Sequence, residues 1–71
     1  MEQTQETLLR LRAVEARTGL RKSKLYGMVK AGEFPKPIAL TPRTTAWIES
    51  EVNGWISARI TASRAVQGEA A

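Results

Sequence analysis

Three prolines within eight residues, Pro35, Pro37 and Pro42, constrain this chain more than any other feature of its 71 residues. Proline fixes φ and has no backbone N–H, so the segment that holds these residues cannot be helical. Residues 37–40 have the period-2 pattern of a strand, and residues 44–48 are rich in β-branched and aromatic side chains. We therefore predict a short β-hairpin here, with helices confined to the sequence before and after it.

Two short helical patterns precede the prolines. The first runs from about Arg12 to Thr18 and the second from about Lys22 to Ala31, and a glycine, Gly19 or Gly32, follows each. Glycine adopts the left-handed conformation that ends a helix without steric cost. Apolar residues at helical spacing predict the buried side of the second helix: Leu25, Met28 and Val29. Two helices joined by so short a turn are typical of a helix-turn-helix.

A third helix is predicted after the hairpin, with Ser50 as its N-cap. Its apolar stripe consists of Val52, Trp55, Ile56 and Ile60. Residues 1–7 carry no periodic pattern and are expected to form a flexible lead, while residues 62–71 are expected to be a disordered tail. The predicted fold over residues 8–61 is mainly α: a winged helix-turn-helix of three helices and a two-stranded β-hairpin wing.

Composition excludes several classes of protein. The chain has no cysteine and no histidine, and all seven of its acidic residues are glutamates. Disulfides, zinc sites built from Cys or His, and nucleophile–base pairs that need these residues are therefore ruled out. We expect neither an enzyme nor a protein with a metal or cofactor. Since no apolar run is long enough to span a bilayer and the N-terminus is unlike a signal peptide, we expect a cytoplasmic binding module with no membrane partner.

The net charge of +4 conceals a strongly basic middle segment. Residues 10–43 hold nine Lys and Arg against two Glu, a net +7, while residues 1–9 and 44–71 are mildly acidic. Such a block is the electrostatic footprint of a polyanion-binding protein, and a basic helix fits the major groove of B-DNA. We predict contacts with double-stranded DNA from the turn, the second helix and the wing: Arg21, Lys22, Ser23, Lys24, Tyr26, Lys30, Lys36 and Arg43.

Some assignments have two interpretations from sequence. Tyr26 suits a phosphate contact and packing against the wing equally well. Trp47 and Trp55 suit stacking against the bases of single-stranded nucleic acid, but their place on apolar stripes favours a role in the core. The arginines of the first helix suit either contact with the DNA backbone or plain solvation: Arg10, Arg12 and Arg17.

From residue 16 to residue 60 the chain carries a recognisable pattern, ARTGLRKSKLYGMVKAGEFPKPIAL followed by TPRTTAWIESEVNGWISARI. It resembles the AlpA-like prophage regulators, small winged-helix proteins related to phage excisionases and to the DNA-binding head of MerR-type regulators. The similarity covers about Leu8 to Ile60. Its more specific elements are Thr18-Gly19-Leu20, Ser23, Leu25-Tyr26, Gly32, Phe34-Pro35, Pro37, Arg43, Trp47, Glu51-Val52 and Trp55.

The resemblance implies DNA binding at the locus of a prophage or integrative element, as a transcriptional regulator, an excision factor or both. An integrase or RNA polymerase is then the expected protein partner, and the bound protein is expected at the bacterial nucleoid. One small module reads few base pairs, so we expect a monomer in solution that assembles in several copies on DNA. Three residues depart from the family pattern, namely Arg21, Lys24 and Gly27. At Gly27, where the family often has arginine, the family's contact cannot be carried over.

Two alternative functions remain open from the sequence. The basic face also suits an adaptor that docks on an acidic surface of an integrase or polymerase. A small RNA-binding protein would have a similar charge, although the lack of exposed aromatic motifs argues against recognition of single strands. Binding to a defined duplex distinguishes both alternatives from the DNA-binding interpretation.

Overall fold

The computed structural model describes residues 6–70, with side chains described for residues 6–65. The elements in chain order are β1 (Leu8–Leu9), α1 (Leu11–Thr18), α2 (Lys22–Ala31), β2 (Ile38–Thr41), β3 (Thr44–Ile48) and α3 (Glu49–Ala70). The helix pair α1–α2 is the predicted helix-turn-helix, and the hairpin β2–β3 is the predicted wing. The prediction of a winged helix-turn-helix fold is therefore confirmed.

Glycines end the first two helices as predicted. Gly19 and Gly32 have φ of 76° and 79°, in the left-handed region that other residues rarely adopt. At the end of α2, the N–H of Gly32 donates to the carbonyl of Val29 and the N–H of Glu33 to that of Met28. This pair of bonds is a Schellman motif, which satisfies carbonyls that the last turn leaves free and reverses the chain toward the wing.

The sheet has one strand more than the predicted two-stranded wing. β1 pairs antiparallel with β3, so that the strand order is β1-β3-β2, and Leu9 lies opposite Trp47. Paired residues on neighbouring strands have their side chains on the same face of a sheet. Leu9 is therefore buried on the core side, together with the fully buried Trp47. Leu8 and Leu9 thus cover the edge of the sheet that β3 would otherwise expose.

The core is organised around Phe34, which follows the end of α2. Its ring packs edge-on against Trp47 at 6.4 Å and against Trp55 at 4.8 Å between centroids. The indole N–H of Trp47 donates to the carbonyl of Pro35 at 2.8 Å, and that of Trp55 to the carbonyl of Glu33 at 2.7 Å. Val14, Leu25 and Val52 complete the fully buried core.

The start of α3 differs from the prediction. The helix begins at Glu49, directly after β3, so Ser50 lies inside the first turn and is not the N-cap. Its hydroxyl donates instead to the carboxylate of Glu6 at 2.9 Å, and the N–H of Glu49 donates to the carbonyl of Thr7 at 2.8 Å. Residues 6 and 7 of the expected flexible lead are therefore bonded to α3, while residues 1–5 lie outside the described residues.

The end of α3 also differs from the prediction. A disordered tail was expected from residue 62 because the apolar stripe ends near Ile60, yet α3 continues to Ala70. Residues 61–70 contain no proline, and helix propagation adds one hydrogen bond for each residue ordered. The side chains of residues 61–65 are all exposed, so this part of the helix is not stabilised by packing against the core.

Two leucines provide a matched test of the core. Leu25→Ala removes a fully buried side chain and is expected to lower the free energy of unfolding by about 2–5 kcal/mol. Leu40→Ala, at a position 45% exposed on β2, is expected to change it by less than about 0.5 kcal/mol. Urea unfolding followed by circular dichroism measures both values, and equal losses would contradict this description of the core.

Candidate nucleic-acid interface

The exposed face of α2 is defined by its buried face. Leu25 is fully buried and Met28 nearly so, which turns the opposite side of the helix to solvent. Because successive residues are about 100° apart around a helix, Ser23, Gly27 and Lys30 lie in one row along the middle of that side. We call this row the outer row of α2. The row carries the hydroxyl of Ser23, the backbone of Gly27 without a side chain, and the ammonium group of Lys30.

The lysines of α2 do not share one face of the helix. Lys22, four residues before Tyr26, lies on the same flank as Tyr26, whereas Lys24 lies about 160° away around the helix. The surrounding residues agree with this placement, since Lys22 lines a cleft with Ser23 and Tyr26 and Lys24 lines a groove with Met28. The structure therefore places one cation on each flank of α2 and one, Lys30, on the outer row.

Tyr26 connects α2 with the wing. Its ring lies 5.7 Å from that of Trp47 on β3, at an interplanar angle of 56°. The residue is nevertheless 36% exposed. Packing against the wing is thus confirmed, and it fixes which flank of α2 faces β3. The DNA contact of Tyr26 stays a prediction that this arrangement permits.

The N-terminus of α2 opens into a cleft of about 540 Å³ lined by Glu15, Arg21, Lys22, Ser23 and Tyr26. Arg21 is the N-cap residue in extended conformation, and its side chain makes no capping hydrogen bond. The first backbone N–H groups of a helix have no partner within the helix and carry its positive dipole end. Uncapped N–H groups next to Arg21 and Lys22 suit an anion such as a phosphate.

The wing cations occupy the predicted positions. Arg43 lies in the turn between β2 and β3, where its backbone N–H donates to the Thr41 hydroxyl at 3.3 Å, and its side chain is exposed. Lys36 is exposed two residues before β2, at the base of the wing. Together with Arg21 of the turn, they are the predicted site residues outside α2, and all of the predicted site residues have exposed side chains.

Arg17 and the tryptophans have intramolecular roles. The guanidinium of Arg17 donates to the carboxylate of Glu49 at 2.9 Å and to the side-chain oxygen of Asn53 at 3.0 Å, which joins α1 to α3. Trp47 is fully buried, so its assignment to the core is confirmed. Trp55 is half-buried, and Arg59 lies 5.0 Å above its ring. Arg17 is therefore not free to contact the DNA backbone, and the two tryptophans are not free to act as stacking platforms.

The described residues lack the features of a metal site or of a membrane-spanning helix. Among the described residues, no three acidic, cysteine or histidine side chains come together as metal ligands would. Within those residues, no helix combines the length and the apolar character that crossing a membrane requires. The basic surface formed by α2, the turn before it and the wing is the site that the structure supports.

Comparisons with known proteins identify the family to which the sequence is similar. The sequence model of one family, described as prophage CP4-57 regulatory protein (AlpA), matches residues 7–60. The uncharacterized protein ORF88 of Enterobacteria phage P4 is 40% identical over 57 residues, which are 80% of this chain and 65% of that protein. The chain thus spans just under two thirds of that relative. The DNA-binding transcriptional activator AlpA of Escherichia coli (strain K12) is 33% identical over 58 residues, covering 73% of this chain and 83% of the activator.

Gly27 allows a direct test of the outer row. A Cβ at this position would meet nothing within 4 Å, so Gly27→Ala is expected to raise the free energy of unfolding by about 1 kcal/mol through helix propensity alone. Gly19→Ala is the control, because its φ of 76° makes alanine strained there and a loss of stability is expected. Thermal unfolding of the two variants checks the signs, and a destabilised Gly27→Ala would show that the site is not open.

Proposed function

The chain belongs to the AlpA family of prophage regulatory proteins, and from that membership and the basic surface we propose that it regulates a prophage or integrative element by binding double-stranded DNA. In this proposal α2 lies in the major groove and the wing follows the adjacent phosphate backbone. The observation that carries the proposal is the outer row of α2, which is exposed along the helix with a cation on each flank. The helix diameter of about 10–12 Å matches the width of the major groove, about 12 Å.

The separation of Lys22 from Lys24 supports this docking mode. A helix that lies in the major groove faces a phosphodiester strand on each side. Cations about 160° apart around the helix can each reach a different strand, which cations on one face could not do. The outer row between them then meets base edges, where Ser23 can donate or accept a hydrogen bond. Arg43 at the tip of the wing adds a contact beyond the groove.

Gly27 gives the outer row a particular character. Without a side chain, the helix backbone can approach the floor of the groove more closely there than on either side. The residue provides no hydrogen bond of its own, so base discrimination rests on its neighbours Ser23 and Lys30. The arginine contact that the family often has at this position is therefore absent, and in its place the backbone of α2 can lie closer to the floor of the groove.

We place transcriptional regulation ahead of excision. The relative from Escherichia coli (strain K12) carries the name of a transcriptional activator, and no observation on this chain favours recombination. Contact with RNA polymerase or an integrase, assembly of monomers in several copies on DNA, and action in the cytoplasm at the nucleoid stay predictions. The same proposal makes the protein a binding module and not an enzyme, since its surface offers cations and hydroxyls without a nucleophile–base pair.

Duplex RNA is a poorer partner for this surface. The major groove of A-form RNA is deep and narrow, so a helix such as α2 cannot enter it. Recognition of single-stranded RNA depends on free aromatic faces. Trp47 is fully buried, so its ring is not available as a platform, and the ring of Tyr26 packs against it.

Charge-removing variants test the docking mode. On a duplex selected from a random pool, Lys22→Ala combined with Lys24→Ala is expected to abolish binding, because contacts to both strands are lost. Both side chains are exposed, so the circular dichroism spectrum should not change. Arg59→Ala combined with Arg64→Ala removes the same two charges from the exposed side of α3 and is the matched control, with nearly unchanged affinity. Wild-type affinity in the double variant would refute the placement of α2 in the groove.

The salt dependence tests the electrostatic part. With about five phosphate contacts, the logarithm of the binding constant is expected to fall against the logarithm of salt concentration with a slope of about −4 to −5. A single Lys24→Ala change should reduce the size of that slope by about 1, equally on specific and unrelated duplexes. Fluorescence anisotropy at several salt concentrations measures the slope, and binding that is insensitive to salt would contradict the proposal.

A further inference from the structure

A second surface lies on the flank of α2 that faces away from the wing. It is an open groove between α2 and α3, with a volume of about 620 Å³. We call it the α2–α3 groove, and its main lining residues are Lys24, Met28, Trp55, Ile56, Arg59 and Ile60. The volume is in the range of sites that hold ligands, about 300–1,000 Å³. The DNA-binding proposal uses only Lys24, at its edge.

The floor of this groove is apolar and incompletely covered. Ile56 and Ile60, four residues apart on α3, lie on the same side of the helix, next to Met28 of α2. Ile60 is 47% exposed, the highest value among the large apolar side chains of the described residues. Trp55 is half-buried beside it. The apolar stripe of α3 therefore continues past the last residues that pack on the core, and its end at Ile60 leaves apolar surface in contact with water.

The rim of the groove is positively charged. Arg59 stacks on the Trp55 ring at 5.0 Å, and Arg59 and Arg64 line a smaller adjoining cleft of about 320 Å³ along α3. Lys24 adds a third cation on the α2 side, and Glu33 is the acidic residue of the rim. Arg17, also at the rim, is already paired with Glu49. The uncompensated charge is thus positive and follows the direction of α3.

An apolar floor with cations along one side is complementary to a helix with the opposite pattern. We propose that the α2–α3 groove is a docking site for an acidic amphipathic helix of a partner protein. Its apolar residues would cover Ile56 and Ile60, and its carboxylates would meet Arg59 and Arg64. Helix-in-groove recognition uses such anchors at positions i, i+3, i+4 and i+7. The site goes beyond the DNA-binding proposal, because it recruits a protein while the outer row of α2 is on DNA.

Nucleic acid is a less suitable occupant than an acidic helix. A sugar-phosphate backbone has little apolar surface with which to cover Ile60. A second copy of this chain is also less suitable, because the copy would bring another basic segment against these cations. A partner with apolar and acidic side chains satisfies both features of the groove.

Two synthetic peptides of about 18 residues, or five helical turns, provide the probe. One has leucine at the anchor positions and glutamate elsewhere, and the other has glutamine in place of each glutamate, so that neither carries cations that would bind the duplex. Isothermal titration of the full chain, with its selected duplex bound, is expected to show binding of the acidic peptide and much weaker binding of the neutral one. Ile60→Ser should weaken this binding about fivefold or more, because an apolar anchor is lost. Arg59→Glu should remove the preference for the acidic peptide.

Leu40→Ser is the matched control, since Leu40 is 45% exposed on the wing and far from the proposed contact. It should leave the peptide affinity unchanged. Equal weakening by Leu40→Ser and Ile60→Ser, or no binding of the acidic peptide, would overturn the proposal. Loss of duplex affinity in Arg59→Glu as large as in the double variant Lys22→Ala with Lys24→Ala, which changes the charge by the same two units, would assign the groove to DNA instead. Self-association of the wild type that Ile60→Ser abolishes in sedimentation equilibrium would assign it to a second copy.

Discussion

The arrangement of the whole domain depends on how Phe34 is held between two tryptophans. The ring contacts both indoles, and each indole N–H donates to the carbonyl of a residue next to Phe34. Trp47 belongs to the wing and Trp55 to α3, so a three-residue segment after α2 fixes both elements relative to the helix. Edge-on aromatic pairs contribute about 0.5–1.5 kcal/mol each beyond their buried area. Together with the packing of Tyr26 on Trp47, this contact sets the position of the outer row of α2 relative to the wing that carries Arg43.

Features that depend on neighbouring residues could be predicted from the sequence. Gly19 and Gly32 end their helices because glycine itself favours the left-handed conformation, whatever the rest of the fold. The prolines likewise exclude a helix wherever they occur. β1 could not be predicted, since a strand of two residues has no periodicity and exists only through its pairing with Ile48 and Trp47. The continuation of α3 to Ala70 was missed for the opposite reason: helix propensity persists there after the apolar pattern has ended.

The candidate site was predictable as a set of residues but not as an arrangement. Charge located the basic segment, but the placement of Lys22 and Lys24 on opposite flanks follows only once the buried face of α2 is known. Tyr26 had two interpretations until its partner was known, because Trp47 is 21 positions away in the chain. The bridge from Arg17 to Glu49 joins residues 32 positions apart, and such contacts leave no local pattern.

The unequal burial of the two tryptophans has an optical consequence. Trp47 is enclosed by protein next to Tyr26, whereas Trp55 is half-buried under the guanidinium of Arg59 at the edge of the α2–α3 groove. The chain contains only these two indoles and a single tyrosine. An enclosed indole emits at shorter wavelength than a hydrated one, so the intrinsic fluorescence combines two distinguishable emitters. One reports whether the domain is folded, and the other reports what lies against α3.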